Sequence, residues 1–527
     1  MSISATKEPS AEAPASCTSA NGSHKQILKS SVIVGGSQIV NVVVGIIRTK
    51  VMAVLLGPAG FGLFGLYTSV ANLAQTLSDM GIFGSGVRQI AAAISTGDDA
   101  RVWQTVLVLR RISIVLGLIG IVAMTTFSRQ ISRLTFGNES HQSAICWLSL
   151  GVFFALISSS QGALIQGMRR IADLARMQIL ATIFGAISAI VLVYIFRERG
   201  VVASIVCVSA MSICVSWWFA RKVAATIQCR GTAKMNLSFV WEEVGALLKL
   251  GLAFMVSSLV TLGVAYAVRI TLLHKLGMSA TGIYQSAWTL GGMYVGFILQ
   301  AMGADFYPRL TEHAQDNEVS NRLVNEQTYV GLLLAAPGVL ATLTFAPLVV
   351  SLFYSAKFAP AVTILRWVCL GTMLQVISWP MGFVIMAKAR RGLLVFCEVA
   401  WGLVSVVLAW VCISRWGLAG AGFAFFASYI FHGVMLYAIV SRLSGFRWSS
   451  ESWKGSLLSV SLAAIAFGGF SILPLYGAVV LGCVTVAISG VFSITALIEL
   501  VDHNRVPAPI RKLDKLVRVI ASKLSAA

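Results

Sequence analysis

Runs of 18 or more apolar, nearly uncharged residues follow one another along almost the whole chain, about fourteen of them between 29 and 499. A run of that length crosses the hydrocarbon core of a bilayer as a helix. In hydrocarbon every backbone N–H and C=O must be satisfied by the protein itself. None of these runs alternates as barrel strands do, so the expected fold class is an all-α integral membrane protein. Composition agrees: 57% of the 527 residues are apolar and only 11% are charged, against roughly 25% in a soluble protein. The nine cysteines form no C-x-x-C pair and read as small apolar residues, with no disulfide framework or metal site expected.

The chain is also duplicated. Cys146-Trp147-Leu148-Ser149-Leu150-Gly151 returns 220 positions later as Arg366-Trp367-Val368-Cys369-Leu370-Gly371. The same offset pairs Gly162 with Gly382, and Gly57, Gly60 and Gly62 with Gly277, Ala280 and Gly282. Arg169-Arg170 pairs with Arg390-Arg391 after a slip of one. Spans 1–6 thus correspond to spans 7–12, and spans 13 and 14 are an appendix. Six spans return each copy to its starting side, so the two six-helix bundles are parallel copies. Such a duplication places the working site between the copies and moves one against the other. The expected domains are a disordered tail over 1–28, a first bundle over 29–220, a linker over 221–249 and a second bundle over 250–441. Accessory helices over 455–499 and a basic tail over 500–527 complete the chain.

The formal charge of +20 suggests nucleic acid, but topology explains it better. With both termini in the cytoplasm, Lys and Arg on that side outnumber those opposite by about three to one. No soluble segment is large enough for a catalytic domain; the longest include 221–249, 304–328 and the tail, whose basic amphipathic pattern suits an inner-leaflet surface. The absence of a G-x-x-x-x-G-K-[ST] loop excludes P-loop ATP hydrolysis. H-E-x-x-H, G-x-S-x-G and clustered Cys/His ligands are missing as well, so no enzyme, metal or cofactor is expected.

Polar residues inside spans mark function, because they are costly unless they face protein or a water-filled cavity. Ser31, Gln38, Asn41, Gly45 and Arg48 lie on one face of span one. The offset of 220 maps the first four to Gly251, Ser258, Thr261 and Ala265 on span seven, with Arg269 one position beyond register. On span two, Thr68, Asn72, Gln75 and Asp79 share a face. Asp79 and Asp305 sit near the inner ends of their spans with Arg88 and Arg309 close by, an arrangement suited to a gate. Glu398, two turns into span eleven, is the one acidic residue well inside a span and is suited to ion coupling.

Three strings carry a resemblance. They are Leu55-Leu56-Gly57-Pro58-Ala59-Gly60-Phe61-Gly62, Met302-Gly303-Ala304-Asp305-Phe306-Tyr307-Pro308-Arg309-Leu310 and Gly417-Leu418-Ala419-Gly420-Ala421-Gly422. Together with the six-plus-six repeat they resemble the polysaccharide transporter family, the lipid-linked oligosaccharide and O-antigen flippases of the multidrug/oligosaccharidyl-lipid/polysaccharide exporter superfamily. The likeness covers about residues 27–450. It implies a V-shaped pair of bundles that carries an undecaprenyl-diphosphate-linked glycan to the outer leaflet of the bacterial inner membrane by alternating access. It also implies a polysaccharide polymerase and a chain-length regulator as partners, besides membrane lipids. In the lipid II flippases, a sister branch, two extra helices line a groove for the lipid tail.

On this reading Arg48 and Arg269 hold the diphosphate as forked cationic donors. Gln38, Asn41, Ser258, Thr261, Asn72 and Gln75 hydrogen-bond the glycan. The alternatives are an ion-coupled multidrug exporter of the same superfamily, a lipid-linked glycan polymerase or ligase, and a non-transporting envelope-assembly protein.

Overall fold

The computed structural model describes residues 20–95, 99–225 and 237–500. Its first half contains α1 (Ala20–Asp79), α2 (Ile82–Ser95), α3 (Asp99–Thr126), α4 (Ser128–Phe136), α5 (Gln142–Gly167), α6 (Ile171–Phe196) and α7 (Gly200–Ala224). The second contains α8 (Leu237–Glu312), α9 (Asn317–Thr344), α10 (Ala346–Phe353), α11 (Ala361–Ala387), α12 (Arg391–Ser444), α13 (Ser450–Ile472) and α14 (Leu475–Leu500). Among the described residues there is no strand, and ten stretches are long and apolar enough to cross a membrane. Four of these run 44 to 54 residues, more than twice the roughly 20 that one crossing needs.

Those long stretches fold back. Arg269 and Gln285 of α8 share a 2.7 Å hydrogen bond, whereas sixteen residues of straight helix would separate them by about 24 Å. The turn between them is Gly277, at φ 84°, ψ 179°. In α12, Trp401 and Tyr429 have ring centroids 5.9 Å apart across a break at Gly417. Straight helix would place them about 42 Å apart. Gly57 breaks α1 in the same way, at φ 66°, ψ −175°. A residue without Cβ reaches this region without the steric penalty others meet.

The backbone keeps the 220-residue offset closely. Positive φ recurs at Gly57 and Gly277, at Arg169 (55°) and Ala389 (53°), and at Arg197 (52°) and Gly417 (57°). Arg170 and Arg390 match as well, at φ −81°, ψ 62° and φ −80°, ψ 68°. The slip of one at the paired arginines is therefore corrected: Arg169 corresponds to Ala389 and Arg170 to Arg390. The conformation of the turn sets the register there, not the identity of the side chains.

The copies meet at the end that carries the Gly57 and Gly277 turns. Gly62 and Gly282 are equivalent and in contact, so they lie on the pseudo-twofold axis. A Cβ on Gly282 would sit 1.8 Å from the Pro58 carbonyl oxygen, and one on Gly62 would sit 2.4 Å from that of Met278. One turn along, Gly65 faces its own equivalent, Gln285, whose side chain would lie 3.1 Å from a Cβ at that position. Small residues allow such close approach in a membrane, where the packing of backbones replaces the hydrophobic drive. Around the crossing, Phe61 of the first copy packs edge-on against Tyr354 and Phe358 of the second, at 5.5 and 5.8 Å. Thr135 and Tyr266 add a 2.5 Å hydrogen bond between the copies.

Several boundaries differ from expectation. α1 begins at Ala20, so the tail expected over 1–28 is helical from that point. The soluble segment expected over 304–328 is largely helical: α8 runs to Glu312, and α9 starts at Asn317 behind Asp316, whose carboxylate accepts the N–H groups of Glu318 and Val319. The helices continue past the apolar stretch because their polar residues form helix as readily. α9 ends at Thr344, because Pro347 lacks the N–H to continue the helix and starts α10 instead. Residues 1–19 and the basic tail after Leu500 lie outside the described residues. α13 and α14 pack on α9, with Gly455 against Tyr329 and Gly482 against Thr344.

Candidate functional site

At the end away from the Gly62–Gly282 crossing, a cavity of about 390 Å³ opens between the copies. Asn72, Gln75, Thr76 and Asp79 of α1 line it, with Gly81, Phe83 and Gly84 beyond. Ser159 of α5 and Met255, Ser258 and Leu262 of α8 form the opposing wall. The predicted residues Asn72, Gln75 and Asp79 thus come together with Ser258 across the junction of the copies. Their shared helical face explains the first three, but only packing brings Ser258 to them.

Asp79 has a local role as well. Its carboxylate accepts the backbone N–H groups of Gly81 and Phe83, closing the break at Met80 and Gly81, both at positive φ. Arg88 is exposed on α2 and forms no ion pair with Asp79. On the second copy Asp305 and Arg309 pair at 3.3 Å one turn apart. The two expected Asp–Arg pairs are therefore unlike: one is an exposed ion pair within a helix, the other a helix-start carboxylate and a separate arginine.

The two arginines assigned to an anionic group differ too. Arg269 is 6% exposed; its Nε donates to Gln285 Oε1 and its Nη1 donates to the Ala265 carbonyl at 2.7 Å. It fastens the two arms of α8 to each other. Arg48 is half-buried and makes no ion pair among the described residues, so its guanidinium is the less committed of the two. On the same stripe Gln38 is half-buried, and the enclosed Oδ1 of Asn41 has no hydrogen-bond partner among the described residues. Thr261 donates to the Ser257 carbonyl and lines a different cavity, within the second copy. Glu398 lies against the Ser257 hydroxyl on the same side of that copy.

The sequence reasoning missed the aromatic wall of that second cavity. The signal was present in the repeat: at the offset of 220, Trp288, Trp401 and Tyr429 stand where the first copy has Thr68, Ala181 and Ser209.

With this geometry in place, known proteins supply context. The sequence profile described as "Polysaccharide biosynthesis protein" matches residues 51–363. The lipid III flippase of Escherichia coli (strain K12) is 23% identical over 412 residues, covering 77% of this chain and 95% of that protein; a lipid III flippase of Shigella flexneri matches equally well. Among solved structures, an inward-facing multidrug resistance MATE family transporter of the MOP superfamily superposes with a TM-score of 0.58. It is 17% identical and covers 76% of this chain and 95% of its own. The lipid II flippase MurJ in an inward closed conformation also gives 0.58, at 12% identity, covering 89% of this chain and all of its own. These likenesses are of fold.

Proposed function

Because the chain belongs to the polysaccharide biosynthesis protein family, we propose that it carries an undecaprenyl-diphosphate-linked glycan from the inner to the outer leaflet of a bacterial inner membrane. The observation that carries this reading is the polar cavity at the junction of two equivalent copies, sealed at its far end by backbone contact. Hydroxyl, amide and carboxylate groups in a water-filled cavity suit a glycan. A junction closed at one end and open at the other suits alternating access. The relatives named as lipid III flippases support the same substrate class.

In this reading the ten apolar stretches, four of them doubled, make fourteen crossings: two six-helix bundles and two accessory helices, with both termini cytoplasmic. The cavity then faces the cytoplasm and the Gly62–Gly282 crossing is the outer seal. Asn72, Gln75 and Ser258 contact the glycan, and Arg48 holds the diphosphate. Gln38, Asn41 and Thr261 extend the polar lining in other conformations. Arg269 supports the second hairpin in the sealed state and is available to the substrate once the seal opens. Asp79, Arg88, Asp305 and Arg309 form the inner mouth, and Glu398 couples the cycle to an ion gradient. A polymerase and a chain-length regulator take up the delivered glycan.

The test uses purified protein in liposomes with a fluorescent undecaprenyl-diphosphate oligosaccharide, followed by its accessibility to an external quencher. Leaflet exchange by wild type, lost in folded Arg48→Ala, is the expected result. A wild type that moves no such lipid under any imposed gradient would overturn the reading in favour of an ion-coupled exporter of smaller molecules.

A further inference from the structure

A cavity of about 200 Å³ lies wholly within the second copy, separate from the one between the copies. Five aromatic rings line it: Tyr284 and Trp288 from α8, and Trp401, Phe425 and Tyr429 from α12. They form a connected set. Ring centroids lie 5.9 Å apart for Tyr284–Trp288, 5.1 Å for Trp288–Phe425, 4.9 Å for Phe425–Tyr429 and 5.9 Å for Tyr429–Trp401. The Gln375 amide and the hydroxyls of Thr372, Ser405 and Ser428 add a small polar set. Thr372 and Ser428 donate to carbonyls of their own helices, at 2.7 and 2.8 Å. The enclosed Ser405 Oγ and Trp401 Nε1, one turn apart, have no partner among the described residues.

The first copy shows what this wall is when nothing is asked of it. Gly200 and Gly420 hold the register, each packed on the carbonyl 8 residues before it, those of Leu192 and Cys412. At the equivalent positions Trp288, Trp401 and Tyr429 become Thr68, Ala181 and Ser209, while Phe425 becomes Ile205 and Gln375 becomes Ala155. Those smaller residues pack: Ile205 borders the cluster of Leu148 and Val152, and a Cβ on Gly185, the equivalent of Ser405, would lie 3.3 Å from Val208. The second copy has replaced them with large rings and polar groups and still encloses space. Filling a core would have been the simpler outcome, since an unfilled apolar cavity is destabilising.

We propose that this cavity is a subsite for one neutral sugar ring. Such a ring presents flat C–H faces to aromatic planes and hydroxyls at its rim, which the amide, hydroxyl and indole N–H meet. None of the lining side chains is charged, which disfavours an ionic ligand although aromatic cages also suit organic ammonium groups. The volume is below the roughly 300–1,000 Å³ of drug-sized sites, so it admits a single ring. Entry is past Gly292 and Gly296, one turn apart and exposed, where a Cβ would meet nothing within 4 Å. That the ring belongs to the carried glycan rests on the flippase reading; that the cavity binds it does not.

The test is intrinsic tryptophan fluorescence and calorimetry of the full chain in nanodiscs, titrated with neutral methyl pyranosides and, separately, with tetramethylammonium. Saturable binding of a pyranoside is expected. Trp401→Ala should weaken it about tenfold, the equivalent of one stacking contact, and Gly296→Leu, which plugs the entry without removing any packed atom, should abolish it. Binding of tetramethylammonium alone, or of neither probe, overturns the proposal. The same preparations are assayed for leaflet exchange. Normal lipid movement without sugar binding sinks this subsite and leaves the flippase, whereas sugar binding without lipid movement sinks the flippase and leaves the subsite.

Discussion

Arg269 and Gln285 stand eight residues either side of Gly277 and are joined by a 2.7 Å hydrogen bond. This bond pins one arm of the α8 hairpin to the other beside the axis that relates the copies. Gln285→Ala takes one hydrogen bond from a buried guanidinium, which costs about 1.5–3 kcal/mol. Thermal unfolding in detergent should show a clearly lowered midpoint, with Gln285→Glu restoring much of it. An unchanged midpoint for Gln285→Ala would remove the bond from the account of stability.

The Gly62–Gly282 crossing leaves no room for a methyl group. In Gly282→Ala the new Cβ meets backbone only, at the Pro58 carbonyl oxygen and the Gly62 nitrogen, so no side chain can swing away. The expected outcome is a folded protein whose seal stays parted. Spin labels at positions 59 and 279 should report a longer distance than in wild type, and leaflet exchange should stop. A wild-type distance in the variant would show that the backbone yields instead.

Arg197 adopts φ 52°, ψ −130°, nearly the conformation of its equivalent Gly417 at φ 57°, ψ −135°. Non-glycine residues held there store about 1–3 kcal/mol. Gly417→Ala should therefore lower stability by that order. Arg197→Gly should raise it by less, since the variant also loses the Nη1 contact to the Leu55 carbonyl at 3.4 Å and gains unfolded-state entropy. Paired melting curves decide the sign of each.

His141 is stacked on Phe136 at 3.9 Å and shares a 2.7 Å hydrogen bond with Tyr67. Burial lowers its pKa from the ordinary histidine value of about 6.5. The unfolded chain then takes up the proton first, so stability is full above about pH 6.5 and is lost as pH falls from there toward the folded pKa. Melting midpoints between about pH 7.5 and 5 should drop more steeply for wild type than for His141→Gln. Parallel curves would assign the slope to other groups.

Glu398 rests against Ser257 of α8. If it couples transport to an ion gradient, Glu398→Gln should bind the glycan lipid as wild type does yet lose its response to imposed proton or sodium gradients. Normal transport by the variant at every gradient would sink the coupling role.

Periodicity and repetition made much of the fold legible. Length and apolarity identify the helices because hydrocarbon leaves the backbone no other partner. The offset of 220 paired Gly57 with Gly277, where α1 and α8 turn, because few residues other than glycine tolerate that conformation. Helical spacing also grouped Asn72, Gln75 and Asp79 on one face. What a face looks at is another matter, since it depends on neighbours distant in sequence. Ser258 and Thr261 stand less than one turn apart, yet the first faces the cavity between the copies and the second the aromatic cavity within one. The boundary between those cavities passes through their helix. Packing likewise turned Arg269 onto Gln285 while leaving Arg48 without a carboxylate. Only the tertiary structure could decide these, because a helix fixes the angle between two side chains but not which element fills the space beyond them.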